Sequence, residues 1–566
     1  MNVIKNHFRS KIQVGILWVA ALCPLPADFW NQEVFNLPKE NQPELVQAIK
    51  PAVLDTYRRE KLAELLLPLN PRKVYVELPE TKAAQNLVVE NITPEDNLNR
   101  ARVLTQYNRN DAVFKTLAEA PATCEVLYLE SLAYRRLRRY SDARKYLKKT
   151  IEVCEGDFKR KALFLNARIA AMNASDKSLE ILNDFLEKYP DDNFTDDVVL
   201  WKAHVLKDLH KDSEAGVVLE KLIAQFPNGD MREQAIFERA LGLVSEGQSD
   251  AGLKLLENLN TAQSTYWRGR LLLYPELASL KINPDLGKQK EGKKILTELA
   301  KKTPASYYGY FAGQLAGLKS FTRPQKFVLP KSSVLEADPI YKSLGCLKKA
   351  KRLEEAVWIV DRLTGIYTGE PERFILAKKY LELNRPDKAH QLMRNAGLAF
   401  PRFSNDKAYP WSLAFPRAYP QEFLKASKKE KLPIDWITGL SREESQFDSQ
   451  VISWAGAVGL CQLLPSTAHL PENELLNAET NIETGAAHLK ELSDELMHPL
   501  KAIAAYNAGK VAVKRWVAQN PAEIPMDYFV ELIPYEQTRN YVKKVSSAWL
   551  SYAWLEGRLR KNLYSL

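Results

Sequence analysis

Apolar residues recur every three to four positions along most of the chain, and that spacing predicts helices. From about Ala101 to Leu318 the pattern is almost continuous, with no convincing strand. Leu127, Leu132, Tyr134 and Leu137 make one stripe. Ala143, Tyr146, Leu147 and Ile151 make the next, after a turn at Arg139–Asp142. Two later helices close on an aromatic residue followed by proline, Tyr189-Pro190 and Phe226-Pro227, and these prolines stand 37 residues apart. Lys319 to Ser333, with Pro324 and Pro330, reads as a connector. The helical pattern resumes through Leu347, Ala350, Leu353 and Ala356 and runs to about Gly397. Phe400 to Pro420 is rich in Pro, Tyr, Phe and Trp and reads as an ordered approach to a last domain; Asn70 to Ile92 fits no element.

A proline-stopped helix returning at that interval resembles tetratricopeptide-type hairpins in a degenerate form. Such hairpins stack into a superhelix, each burying its apolar face on its neighbours. Taken alone, this part would be a protein-binding scaffold.

At 566 residues the chain is too long for a single core. The net charge of +10 favours a polyanionic partner. No dense basic block, zinc-finger spacing or Gly-rich phosphate loop is present, so nucleic acid is not expected. Lys425 to Lys431 is a basic stretch that reads as a solvated helix face. Near the start, Lys5, Arg9 and Lys11 precede the apolar run Ile12–Leu22, then Pro24, Pro26 and Ala27. This is the layout of a signal peptide over residues 1–27, and it implies a periplasmic location. Cys23 invites a lipid anchor, but Leu22 stands where that signal wants a small residue. No later segment is long and apolar enough to cross a membrane.

Export permits disulfides. Cys124 and Cys154 lie equally far from residue 139, which falls in the turn of the predicted hairpin. An antiparallel pair of helices places such residues side by side, so these two are expected to bond. No cysteine spacing suggests a metal site.

The candidate chemistry lies in the last 150 or so residues. Proline at a first helical position makes Pro433 a helix start. Ile437, Leu440, Glu444 and Phe447 then share a face. A carboxylate among apolar neighbours has a raised pKa, as a general acid near neutral pH requires. Periodicity does not choose between Glu443 and Glu444. A glycosidase usually pairs two carboxylates, and Asp448 and Glu531 are the candidates for the second. Asp448 sits where the helix should end and suits a turn cap. Gly456 and Gly459 permit a tight turn close to a sugar, and Gln462 offers an amide donor and acceptor. Tyr506 and Asn507 lie just before Gly509, a helix-ending signal.

Four phrases occur in order: Arg442-Glu443-Glu444-Ser445, Ser453 to Gln462, Ala504-Ala505-Tyr506-Asn507-Ala508-Gly509, and Glu531 to Val542. Together they resemble the catalytic domain of the soluble lytic transglycosylases, which cleave peptidoglycan and have a lysozyme-like fold. Tyr266-Trp267-Arg268-Gly269-Arg270 and Ala305 to Tyr310 resemble segments of the large ring-forming members, in which an α-superhelix carries the catalytic domain. The resemblance implies an all-α chain: superhelical hairpins over 28–330, a helical linker domain over 331–412 and a lysozyme-like domain over 413–566. It selects Glu444 as the catalytic acid, because the family's Glu-Ser pair falls on Glu444-Ser445. It implies that Ser453, Cys461, Gln462, Tyr506, Asn507 and Glu531 line the substrate site, with Gly456, Gly459 and Gly509 shaping it. Cys461 stands where the family usually has Met, and Trp454 where it often has Pro. Tyr541 is as open to a packing role as to a functional one.

The implied substrate is peptidoglycan glycan strands and muropeptides, cut non-hydrolytically by an exo-acting monomer with no cofactor and no metal. Other cell-wall enzymes are possible partners. The rival readings are a goose-type muramidase and a non-catalytic glycan-binding scaffold.

Overall fold

The computed structural model describes residues 56–84, 86–321, 323–398, 408–521 and 523–559, so the expected signal peptide lies outside the described residues. Among them every regular element is a helix, and extended backbone pairs only at the isolated bridges Ile452–Val458 and Val458–Leu463. The chain is all-α.

The helices gather into two compact units that do not follow chain order. One takes in the described parts of Met1–Pro121, Lys326–Ala399 and Tyr409–Ala418; the other those of Ala122–Gln325, Phe400–Ala408 and Tyr419–Leu566.

Among the described residues the first unit buries apolar clusters at two places. One gathers Leu62, Leu66, Val74 and Leu78; the other Leu347, Val360, Leu363, Leu376 and Tyr380. Asn70, in the stretch that fitted no element, caps the helix Pro71–Glu77 by accepting from the backbone N–H of Lys73 at 2.9 Å.

The second unit begins with hairpins: Cys124–Arg136 with Tyr140–Val153, Gly156–Ala170 with Asp176–Lys188, Thr195–Asp208 with Asp212–Gln225, and Arg232–Ser245 with Ser249–Glu257. Single helices serve two cores. Leu165 and Ile169 pack with Leu147, while Leu163 and Ala167, on the same helix, pack with Leu182 and Phe185. Leu200 and Ala203 then pack with Leu219, Leu222 and Ala235. Each hairpin thus completes the apolar surface of the next, the bonding logic of a stacked superhelix. Tyr189 and Phe226 cap the C-termini of their helices, each followed by the proline that stops it.

A second repeat is backbone-made. Arg138, His210 and Gly247 all take the left-handed conformation, at φ 60, 57 and 82°. The residue after each donates its N–H to the carbonyl five positions back: Arg139 to Tyr134, Lys211 to Leu206 and Gln248 to Leu243, at 2.8–2.9 Å. That bond satisfies an orphan carbonyl of the outgoing helix, and the incoming helix starts at the next residue without a side-chain cap. The first unit uses the same turn at Asn108, Lys351 and Asn384.

Cys124 opens one helix of the first of these hairpins and Cys154 follows the end of the other. The two are bonded, with their Cα atoms 5.8 Å apart.

Six further helices position the candidate site: α1 (Ala262–Leu273), α2 (Ile434–Ser445), α3 (Ala478–Leu496), α4 (Pro499–Ala508), α5 (Met526–Glu531) and α6 (Glu536–Leu555). Helix α2 is almost wholly buried and lies against α6. Gly439 permits the close approach, since a Cβ there would sit 2.6 Å from the backbone nitrogen of Trp549. Trp436 stacks on Trp549 beside it, with ring centroids 4.8 Å apart.

Reduction should therefore cost stability. A loop of this length contributes about 3–4 kcal/mol in the chain-entropy model. Urea unfolding with and without reductant measures that loss. Alkylation of the denatured, unreduced protein should leave Cys124 and Cys154 unlabelled.

Candidate active site

Pro433 caps α2 from outside rather than occupying its first turn, and the helix stops at Ser445, before Phe447. Gln446 and Phe447 both take positive φ, which turns the chain sharply while still burying Phe447. Glu444 is thus in the last turn of α2, at the floor of a cleft of about 420 Å³. Glu443 points elsewhere and pairs with the buried Arg442. Glu444 is the only carboxylate among the described residues lining the cleft.

Burial pushes the Glu444 carboxyl up to about 7. The Tyr541 hydroxyl opposes that shift by donating to Oε1, and the neighbouring Glu443 charge adds to it. Tyr541 lies on α6. The sequence left it as open to a packing role as to a functional one, and the structure places its hydroxyl on Glu444.

Ser453, Trp454 and Gln462 line the cleft from one loop. Ser453 Oγ accepts from the N–H groups of Ala455 and Ala457, at 3.3 and 3.0 Å. Gly456 and Gly459 take φ of 78 and 73°. At Gly459 a Cβ would meet Asn481 Nδ2 at 2.5 Å and the Leu475 carbonyl at 2.6 Å, so a side chain there has no room. Gln462 also has positive φ, and its amide donates to the carbonyls of Gly459 (2.9 Å) and Val451 (3.3 Å).

Asn481, on α3, holds this loop from beneath. It accepts from Cys461 N at 2.7 Å and donates to the carbonyls of Val458 and Leu475. Ser445 and Ser441 on α2 both donate to the Leu460 carbonyl. The serine after Glu444 therefore ties the acid-bearing helix to the loop across the cleft. Asn481 was missed, because a lone Asn in a helix carries no sequence signal.

Cys461 is fully buried behind the wall and does not line the cleft, contrary to the expected substrate contact. Its position opposite Gly485 leaves no open face, and its carbonyl accepts from the Tyr506 hydroxyl at 2.9 Å. Tyr506, Asn507 and Gly509 do line the cleft, at the end of α4. Gly509, at φ 85°, turns the chain there, and Asn507 Oδ1 accepts from Thr538 of α6 at 2.7 Å. Asp448 accepts from Gln450 N in a turn, the role its position suggested.

Glu531 is placed differently from the expectation. It is buried away from the cleft, and each oxygen has two donors. Oε1 accepts from Trp267 Nε1 (3.2 Å) and Tyr308 Oη (2.7 Å); Oε2 accepts from Lys543 Nζ (2.8 Å) and Gln263 Nε2 (3.3 Å). A carboxylate bound at four sites has little capacity left for a ligand. Four residues earlier, buried Asp527 accepts from Tyr266 Oη at 2.6 Å and Arg270 Nε at 3.3 Å. Arg270 spends its other four N–H bonds on the carbonyls of Tyr274, Glu276, Leu277 and Ser279.

Comparison with known proteins bears on the fold and on the segment that forms the cleft. Residues 421–529 match the family model described as "Transglycosylase SLT domain". A putative soluble lytic murein transglycosylase of Haemophilus influenzae is 33% identical over 165 residues, covering 27% of this chain and 28% of that protein. The soluble lytic murein transglycosylase of Escherichia coli K12 is 26% identical over 307 residues, covering 52% of this chain and 44% of that protein. The chain thus spans less than half the length of these curated relatives. An inactive mutant of the lytic transglycosylase Slt from Pseudomonas aeruginosa aligns over 94% of this chain and 91% of its own, with a TM-score of 0.52 and 18% identity. The 70 kDa soluble lytic transglycosylase of Escherichia coli gives the same coverage and TM-score at 19% identity. The chain carries an SLT domain, and its fold is theirs: an α-superhelix with a lysozyme-like domain.

Glu531 anchors the domain on this geometry, so Glu531→Ala should leave the largely buried Lys543 without its charge partner. The expected loss is about 3–5 kcal/mol, read as a fall in the urea midpoint. A stable variant with raised KM would instead return Glu531 to the substrate site.

Proposed function

We propose that the protein is a peptidoglycan lytic transglycosylase that cuts the bond between N-acetylmuramic acid and N-acetylglucosamine and leaves 1,6-anhydro ends. The observation that carries this reading is a single carboxyl facing the cleft, poised at about 7 beside a hydroxyl that can hold its charged form.

With Tyr541 donating to Oε1, the acid proton of Glu444 sits on Oε2, the oxygen left for the glycosidic bond. Glu444 donates that proton to the departing sugar oxygen. The acetamido group of the substrate supports the anomeric carbon, the substrate-assisted exception to the two-carboxylate rule. Glu444, now charged and held by Tyr541, takes the proton of the 6-hydroxyl as the anhydro ring closes. Burial favours the neutral form and the tyrosine favours the charged one, so a single group serves both steps.

The remaining wall suits a neutral, amide-bearing sugar. Ser453 accepts two backbone N–H groups and keeps its O–H to donate. Asn507 keeps its NH₂ and Gln462 its amide oxygen. No helix among the described residues is long and apolar enough to cross a membrane. Export, a periplasmic location and exo action rest on the N-terminal pattern and the family resemblance.

Glu444→Gln should lower turnover by roughly 10²–10⁴-fold, the usual weight of acid–base catalysis, while muropeptides still bind. Mass analysis of wild-type products should show ends one water lighter than hydrolysed ones. Solvent oxygen appearing at the new reducing end would favour the goose-type hydrolase, and binding without any cutting the scaffold.

The pH dependence has a defined sign. A carboxyl raised from 4.5 to about 7 contributes stability that is complete below 4.5 and lost as pH rises through 7. Glu444→Gln should therefore gain on wild type across that window, by up to about 3 kcal/mol, in urea titrations at stepped pH. Activity should fall above about 7. Tyr541→Phe should shift that limb upward, because it removes the bond that favours the charged form.

A further inference from the structure

We propose that Arg138, with Arg135 beside it, forms a carboxylate-binding edge of the Glu444 cleft that recognises the charged peptide carried by the glycan. This rests on the reading of the cleft as the glycan-cutting site.

Arg138 belongs to the tip of the first hairpin in its unit, yet it lines the same cleft as Glu444 and Trp454. Its left-handed backbone puts it at the outer point of the turn, where it is exposed. Arg135, one turn earlier, lays its guanidinium 5.8 Å from the centre of the Trp454 ring. The hairpin tip therefore meets the Ser453 loop directly, and the cleft has a wall from outside the lysozyme-like domain.

The charge pattern points to an anionic ligand. Most cations nearby are already neutralised: Arg139 by Asp142, Lys510 by Glu491 and Glu495, and Arg442 by Glu443. Arg138 and Arg135 pair with no carboxylate among the described residues. Arg168 lies near enough to Arg135 to add its positive charge there. The N–H groups of Arg138 and Arg135 can donate to a sugar hydroxyl, but only an anion also answers their charge. They suit a carboxylate, which a guanidinium binds through two parallel N–H bonds. A muramyl glycan supplies one on the free carboxylates of its peptide, while the sugar occupies the cleft and its aromatic wall.

The test is calorimetry on the full chain carrying Glu444→Gln, so that ligand is not consumed. The probes are a disaccharide-tripeptide and the same molecule with its carboxylates converted to amides. The free acid should bind about 5–10-fold more tightly than the amide, a modest preference because the edge is exposed. That preference should shrink as salt rises. Arg138→Gln should abolish it, and Arg138→Lys should keep part of it. Equal binding of acid and amide, or a preference that survives Arg138→Gln, overturns the inference. If that happens while the wild-type enzyme still yields anhydro ends, only this inference falls. If neither probe binds and the wild-type enzyme cuts no glycan, the proposed function falls with it.

Discussion

Two buried carboxylates, Asp527 and Glu531, are the constraint on which the second unit depends. They project from the short helix α5 into the hairpin residues around α1, where Tyr266, Trp267, Arg270 and Tyr308 meet them. Burying charge is costly unless every bond is made. Here each oxygen of Glu531 has two donors, and all five N–H groups of Arg270 are used. Such a network tolerates one arrangement. It fixes the hairpins against the lysozyme-like domain more stringently than an apolar contact of similar size would.

Helix α6 carries that constraint to the candidate active site. Arg539 reaches back to Glu238 and to the carbonyls of Glu531 and Ile533, and Lys543 reaches Glu531. On the same helix Thr538 donates to Asn507 and Tyr541 donates to Glu444. Residues three and four apart share a helix face. One face of α6 therefore grips the hairpins while the other sets the acid, and the placing of Tyr541 inherits the stringency of the buried ion pairs.

The acid is set by a similar balance on a smaller scale. Glu444 stands in the last turn of a helix whose Ser441 and Ser445 hold the opposite loop through the Leu460 carbonyl. Asn481 fixes the same loop from below with two backbone bonds and ties it to the Leu475 carbonyl with a third. The cleft is bounded by backbone that side chains hold in place, which suits a site that keeps its shape through the proposed acid and base steps.

The sequence by itself determined the helical class, the proline-stopped helix ends, the hairpin turn between Cys124 and Cys154, and the segment that carries the chemistry. Those rest on local rules: periodicity, helix stops and an ordered set of motifs. It did not show the recurring left-handed turn, because Arg138, His210 and Lys351 fill a position where glycine would have announced it. It placed Glu531 and Cys461 at the substrate and left Tyr541 undecided, for a related reason. A motif states which residues stand together in the chain but not which way each one faces. Only packing brought Trp267, Tyr308 and Lys543 around Glu531, and Tyr541 onto Glu444, from positions as much as 264 residues apart. Which acid is buried among donors and which faces the cleft is decided by those distant partners, and separation along the chain carries no trace of them.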